Sequence, residues 1–176
     1  MRKIVGACLA VAFLGAFQPA QAANPATISV TVTIQNLSVS ATGPIAFGTV
    51  VAASQTVSGA GSTVTNDGNV TETYSLSLTN PASWTGVQAA PSAAEEYALL
   101  AQFNSSAPTG ASFTYADHAL STTSVASSAT KFAGNQTGLS VATSGTRSLW
   151  FRFNAPTSTG VTSQQTITVT VTAAAG

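Results

Sequence analysis

The sequence predicts an all-β fold: a single antiparallel immunoglobulin-like β-sandwich that follows an N-terminal signal peptide. In several short segments, apolar and polar residues alternate with a period of two, the pattern of strands with one buried face. Turn-forming residues separate these segments at short intervals, and almost no stretch has a helical period. Seven or more short strands of this kind are typical of two packed antiparallel sheets.

Residues 1–22 are expected to be a secretory signal peptide. Two basic residues precede an apolar run that ends at Phe17, and small residues follow up to Ala22. The run is short for a bilayer and no other segment is apolar enough, so no membrane span is expected. We therefore expect residues 23–176 to form one β-sandwich domain that is extracytoplasmic, either secreted, at the cell surface or in the periplasm.

The expected mature chain has little charge and no cysteine. Cys8 lies inside the expected signal peptide, so neither a disulfide nor thiol chemistry is predicted for the domain. Its cations are Lys131, Arg147 and Arg152, which are not clustered. This distribution argues against a nucleic-acid partner, because such partners require clustered basic residues.

The first predicted strand covers residues 28–34. Its apolar side chains fall on one face: Ile28, Val30, Val32 and Ile34. At residues 35–36 the apolar phase slips by one residue, which requires a bulge, a bend or a change of sheet. A second short strand is predicted at residues 45–51, where Gly48 marks a bulge or a close backbone approach.

A hairpin is predicted in the next part of the chain. Residues 55–57 and 62–65 are two weaker extended pieces around a glycine-rich turn. The strongest turn signal, Asn-Asp-Gly-Asn at residues 66–69, precedes a strand at residues 71–79. That strand has three large apolar side chains on one face: Tyr74, Leu76 and Leu78.

The remaining strands are separated by a long irregular stretch. Residues 92–95 have capping-box spacing and predict one helical turn that leads into a strand at residues 97–103. Residues 104–145 predict a long excursion with short strands. Strands follow at residues 148–153 and 166–172. The first of these is predicted to direct Leu149, Phe151 and Phe153 to one face and Trp150 and Arg152 to the other.

The groups that could support catalysis are few and poorly placed for it. His118 follows Asp117 directly, and neighbours on a strand point to opposite faces. Glu95 and Glu96 are adjacent, whereas glycosidase carboxylates must flank a sugar ring. The turn at residues 66–69 has a single carboxylate, too few for an ordinary calcium loop. We therefore predict no catalytic residue, no metal site and no cofactor, and the chain is not expected to be an enzyme.

The aromatic side chains suit one kind of ligand site, a platform on which a sugar ring stacks. Trp150 is predicted to point away from the core beside Arg152, where it could stack on a sugar. Trp84, Tyr74 and Tyr97 are further candidates for such a platform. The alternative is that these rings fill or cover the core. A carbohydrate-binding or adhesive surface module, with glycans as partners, is accordingly the second functional hypothesis.

Several blocks of the sequence resemble known secreted proteins. The alternating strand from Thr27, the block Ile45-Ala46-Phe47-Gly48-Thr49-Val50 and the closing strand at residues 166–172 resemble bacterial pilin-like and spore-coat-like secreted sandwiches. The blocks at residues 64–71 and 149–156 resemble uncharacterised bacterial cell-surface immunoglobulin-like proteins. This resemblance implies a non-catalytic subunit of a filament or surface layer.

The same resemblance implies a partner and a way of assembling. The partners would be other copies of the chain or other envelope proteins. Residues 26–34 of one copy would complete the sheet of a neighbour through main-chain hydrogen bonds and alternating apolar side chains. The alternative is that residues 28–34 pair as a strand within their own domain.

Overall fold

In the computed structural model, residues 26–176 are described, and they belong to two units. The first unit ends at Thr33, and its described part, residues 26–33, has exposed side chains and no helix or strand. The second unit, Ile34–Gly176, contains every helix and strand of the described chain. The expected signal peptide at residues 1–22 lies outside the described residues.

The second unit is built almost wholly from β-strands, so the all-β prediction is confirmed. In chain order the strands are β1 (Val39–Ala41), β2 (Gln55–Val57), β3 (Ser62–Asn66), β4 (Glu72–Thr79), β5 (Thr85–Gly86), β6 (Glu96–Phe103), β7 (Val125–Ala126), β8 (Thr146–Asn154) and β9 (Thr168–Ala175). Helical structure in the described part consists of a 3-10 turn at Gly110–Ser112 and one α-helical turn, α1 (Tyr115–His118).

The strands form two sheets. The larger sheet has the order β1-β3-β8-β6-β5, and β2 pairs with the part of β8 that β3 leaves open. The smaller sheet has the order β7-β4-β9, with β9 at its edge. All of these pairings are antiparallel except that of β5 with β6.

Both sheets contribute side chains to one apolar core. The predicted inward face of β4 is confirmed, because Tyr74, Leu76 and Leu78 are buried. The predicted alternation of β8 is confirmed as well, since Leu149, Phe151 and Phe153 all belong to the same core. These two predicted apolar faces therefore share one core.

Strand β6 is buried on both faces. Tyr97, Leu99 and Phe103 point into the core, whereas Ala98 and Leu100 form a second cluster with Phe113. Phe113 belongs to residues 104–145, which form an irregular excursion with the single short strand β7, close to the prediction. A central strand covered on both faces is expected to be uniformly apolar.

The two strands predicted before residue 52 are wrong as elements of this domain. Residues 28–34 form no strand in the described chain, and their four apolar side chains are 78–88% exposed. Residues 45–51 also form no strand; instead, Ile45, Phe47 and Val50 pack half-buried against the core. Alternation shows that a segment can bury one face, but it does not supply a ladder partner.

The predicted hairpin around residues 66–69 is also wrong. Strands β3 and β4 lie in different sheets, so the turn carries the chain from one sheet to the other. The predicted helical turn at residues 92–95 is absent as well. Instead, the Glu96 carboxylate accepts hydrogen bonds from the backbone N–H groups of Ser92 and Ala93, and Glu95 has a positive φ of 61°.

Candidate functional site

An apolar groove of about 990 Å³ opens beside β9. Its floor is formed by side chains of the core: Leu99, Leu149, Phe151 and Phe153. Residues 42–50 form one wall, and residues 161–167 together with β9 form the other. The groove therefore reaches these side chains of the core, which are themselves at most 6% exposed.

The edge of β9 that faces away from β4 is unpaired in the described chain. Along β9, Val169 and Val171 are half-buried and line the groove, whereas Thr168, Thr170 and Thr172 are exposed. An edge of this kind presents a row of backbone N–H and C=O groups that can pair with an added strand.

Within the wall formed by residues 42–50, residues 43–50 rest on the core through side chains rather than through a ladder. The ring of Phe47 packs on that of Phe153 with a centroid separation of 5.6 Å. Among the described residues, no backbone hydrogen bond joins residues 43–50 to another segment. The wall therefore has strand-like residues without strand pairing.

A small hydrogen-bond cluster involves Trp84 and Thr159, which both line the groove. The indole of Trp84 stacks on Phe153 at 6.0 Å, and its Nε1 donates to Thr159 Oγ1 at 3.3 Å. The Glu95 carboxylate accepts hydrogen bonds from Thr159 Oγ1 and Gly160 N, both at 2.7 Å. These two bonds lower the pKa of Glu95, and they fasten the loop that begins the second wall.

Strand β1 is continued toward the N-terminus by the residues that precede it. In the register of β1 with β3, Asp67 N donates to Ser38 O at 2.8 Å and Asn69 N donates to Asn36 O at 3.1 Å. The turn at residues 66–69 thus pairs with the chain segment before β1, which explains why it does not close a hairpin.

Side chains complete this extended ladder. The fully buried Glu72 accepts a hydrogen bond from Ser38 N at 2.7 Å through Oε1. The amide of Asn69 accepts from Asn36 N through Oδ1 and donates to Ile34 O through Nδ2, both at 2.8 Å. A Cβ at position 68 would lie 2.6 Å from Asn36 O, so glycine is required for this close approach.

The predicted donated strand lies in the most exposed apolar part of the described chain. The side chains of Ile28, Val30, Val32 and Ile34 are 88%, 83%, 81% and 78% exposed. We call residues 26–34 the arm. Contiguous exposed apolar side chains of this kind commonly mark an interaction site.

The predicted glycan platform is placed on the outer face of β8. Trp150 is half-buried, and its Nε1 donates to Asn104 O at 2.9 Å. Arg152 is only 5% exposed; its guanidinium donates to the carbonyls of Gly110 and Phe113 and lies over the Phe113 and Tyr115 rings. Arg152 is therefore engaged within the domain, and the platform prediction rests on Trp150, with loss of glycan retention in Trp150→Ala as its test.

The other aromatic and ionisable candidates are not brought together. Tyr74 and Tyr97 are buried in the core, where desolvation raises the pKa of each to about 12. His118 is buried in α1, with Nδ1 accepting from Thr114 N and Nε2 at 3.0 Å from Ala133 O. Both imidazole nitrogens thus have partners within the fold.

Neither a metal cluster nor a membrane-spanning helix is found in residues 26–176. No group of three or more His, Cys, Asp or Glu residues there is arranged to hold a metal ion. No helix in that range is long and apolar enough to cross a bilayer. Comparisons with protein-family models, curated proteins and solved structures gave no match.

The groove and the Asn69 contacts were missed by reasoning from sequence. The one available signal was residues 45–51, whose strand-like pattern indicated an apolar segment in need of a partner. The contacts of Asn69 had no signal beyond the turn propensity of Asn. The groove comes from tertiary arrangement, since it lies where two separate segments flank an unpaired strand edge.

Proposed function

We propose that this chain is a non-catalytic structural subunit of a bacterial cell surface, a filament or surface-layer component that assembles by strand donation. In this proposal the domain is an immunoglobulin-like β-sandwich with one strand position open beside β9. The arm of one copy fills the groove of the next copy. The observation that carries the proposal is the presence, in one chain, of an open apolar groove and an arm with exposed apolar side chains.

The arm has the period that the groove requires. A strand added to β9 would direct every second side chain toward the groove floor. The apolar residues of the arm recur at every second position from Ile28 to Ile34, with Ser or Thr between them. The added strand would thus place apolar side chains on the core and hydroxyl side chains toward solvent, as β9 itself does with Val169 and Thr170.

Burial of the arm would supply a substantial driving force. Full burial of one valine or isoleucine side chain contributes about 1.5–3 kcal/mol, so the four side chains together contribute about 6–12 kcal/mol. Association entropy and the ordering of the arm oppose this gain. Main-chain hydrogen bonds to β9 would fix the register, as in other cases of strand addition.

An extracytoplasmic location belongs to the same proposal. It rests on the expected signal peptide at residues 1–22, with its basic start, apolar run and small residues before the expected cleavage point. The mature chain would contain no cysteine, so its assembly by strand addition would require no disulfide.

The proposal is tested by sedimentation and negative-stain microscopy of residues 23–176. We expect sedimenting filaments or sheets, which excess synthetic peptide of residues 26–36 should shorten by occupying grooves. A matched control peptide has the same composition, but its four apolar residues are consecutive, so that neither face of an added strand is wholly apolar, and it should have no effect. A strictly monomeric species at every concentration, unaffected by the arm peptide, would overturn the proposal.

A further inference from the structure

Asn69 binds residues 34–36, at the C-terminal end of the arm, and we propose that this contact favours donation to a neighbour over insertion of the arm into its own groove. The inference rests on the proposed function, because it concerns how the same groove is filled. It assigns to Asn69 a positioning role, since Asn69 is absent from the residues that line the groove.

Residues 36–38 extend the ladder of β1 with β3 toward the arm. Thr42 N donates to Thr63 O at 2.9 Å at one end of the ladder, and Asn69 N donates to Asn36 O at 3.1 Å at the other. Both bonds have the register of β1 with β3. Residues 36–42 therefore run antiparallel to residues 63–69 as a single extended segment.

The Asn69 side chain extends this ladder beyond its own backbone. Its Oδ1 accepts from Asn36 N and its Nδ2 donates to Ile34 O, both at 2.8 Å. These are the two backbone groups that a neighbouring strand would otherwise satisfy. The amide thus holds residues 34–36 in line with β1.

The arm and the groove wall at residues 42–50 lie on opposite sides of β1 in chain order. Strand β1 leads from Val39 to Ala41 and on into the groove wall at residues 42–50, whereas the arm joins the opposite end of β1. To enter the groove of its own chain, the arm would have to reverse direction near residues 34–36. That reversal requires Ile34 O and Asn36 N to leave Asn69, and entry into a neighbour's groove does not.

If the arm entered the groove of its own chain, it would pair with β9 in the parallel direction. Ala175, at the end of β9, pairs with Glu72, and Glu72 binds Ser38, which follows the arm in the chain. An arm that turned back from this point would run parallel to β9, and parallel pairing is slightly less stable than antiparallel pairing. The Asn69 contacts therefore reinforce a preference that the topology already contains.

Cysteine cross-linking distinguishes an arm that is donated to a neighbouring copy from an arm that is inserted into the groove of its own chain. In residues 23–176, which contain no cysteine, Val30→Cys is combined in turn with Ile167→Cys, Val169→Cys and Val171→Cys. After oxidation, a non-reducing gel shows disulfide-linked multimers where arms are donated and internally linked monomers where they are self-inserted. With Asn69 intact, we expect multimers.

Replacement of Asn69 should change the ratio of these products without changing their total. Asn69→Ala should raise the ratio of linked monomer to linked multimer about tenfold, because two hydrogen bonds are lost. Asn69→Asp should lie between, since it can accept from Asn36 N but cannot donate to Ile34 O. Asn135→Ala, at an exposed asparagine that binds Ser105 in another loop, is the matched control and should leave the ratio unchanged.

An unchanged ratio in Asn69→Ala, with multimers still abundant, would overturn the role of Asn69 and leave the proposed function standing. Absence of cross-links in every variant would overturn strand donation itself. If Asn69→Ala lost all cross-linking, the intermediate variant Asn69→Asp would distinguish a structural role of Asn69 from a positioning role. A purely structural role would lower linked monomer and linked multimer together, whereas a positioning role would shift their ratio.

Discussion

Replacing Val30 and Val32 by serine should weaken assembly strongly and leave the folded monomer unchanged. In the described chain these side chains are 83% and 81% exposed, so they contribute little to the stability of the monomer. If donation buries them in a neighbouring groove, each valine contributes about 1.5–3 kcal/mol to association. The double substitution should then cost about 3–6 kcal/mol, which corresponds to roughly two to four orders of magnitude in the dissociation constant.

The matched control lies on the other face of the same arm. Thr31→Ser with Thr33→Ser also ends in serine at two alternate positions, but on the face that would point to solvent, and should change association by less than about threefold. Sedimentation velocity over a dilution series measures association, and urea denaturation of dilute protein measures monomer stability. Equal effects from the two faces, or a lower urea midpoint in the valine variant, would refute strand donation by alternating side chains.

Three further predictions concern the folded domain. Leu76→Ala, in a wholly buried position, should lower the free energy of unfolding by about 2–5 kcal/mol in urea denaturation, and a loss below about 1 kcal/mol would contradict the assigned core. Burial raises the pKa of Tyr74 and Tyr97 to about 12, whereas unfolded tyrosines titrate at about pH 10. The contribution of these two tyrosines to stability is therefore full below about pH 10 and is lost as the pH rises toward about 12. Tyrosinate absorbance during alkaline unfolding will follow this loss. Hydrogen bonds from Thr159 and Gly160 lower the pKa of Glu95 below its ordinary 4.5. The contribution of Glu95 to stability is therefore present above that value and is lost as the pH falls through the lowered pKa. Glu95→Gln should remove this part of the acid dependence of unfolding, and an identical acid profile in the variant would argue against it.

The strands that could be predicted from sequence are those whose apolar face meets the core of the same domain. In β4, alternation and burial agree residue by residue, and in β8 the predicted inward face lies in the core, although Arg152 on its other face is buried as well. Residues 28–34 have an equally regular pattern but no ladder partner in the described chain. A local pattern reports what a segment can bury and not which surface covers it.

The candidate site could be predicted only in part for the same reason. The arm was identified from its alternation, whereas the groove depends on distant segments that meet beside β9. The turn at residues 66–69 was identified as a turn from its Asn, Asp and Gly residues. That composition does not determine that the turn crosses between sheets, nor that Asn69 binds Asn36, because the choice of pairing partner is tertiary.

The ladder from Asn36 to Thr42 has a mechanical consequence. Its hydrogen bonds lie across the chain direction, and Asn69 holds residues 34–36, where the arm ends, at one end of this ladder. A pulling force applied through the arm would load these bonds together in shear, whereas a force perpendicular to the strands would peel them apart one at a time. A subunit fastened in this way would transmit tension from its arm directly into the larger sheet.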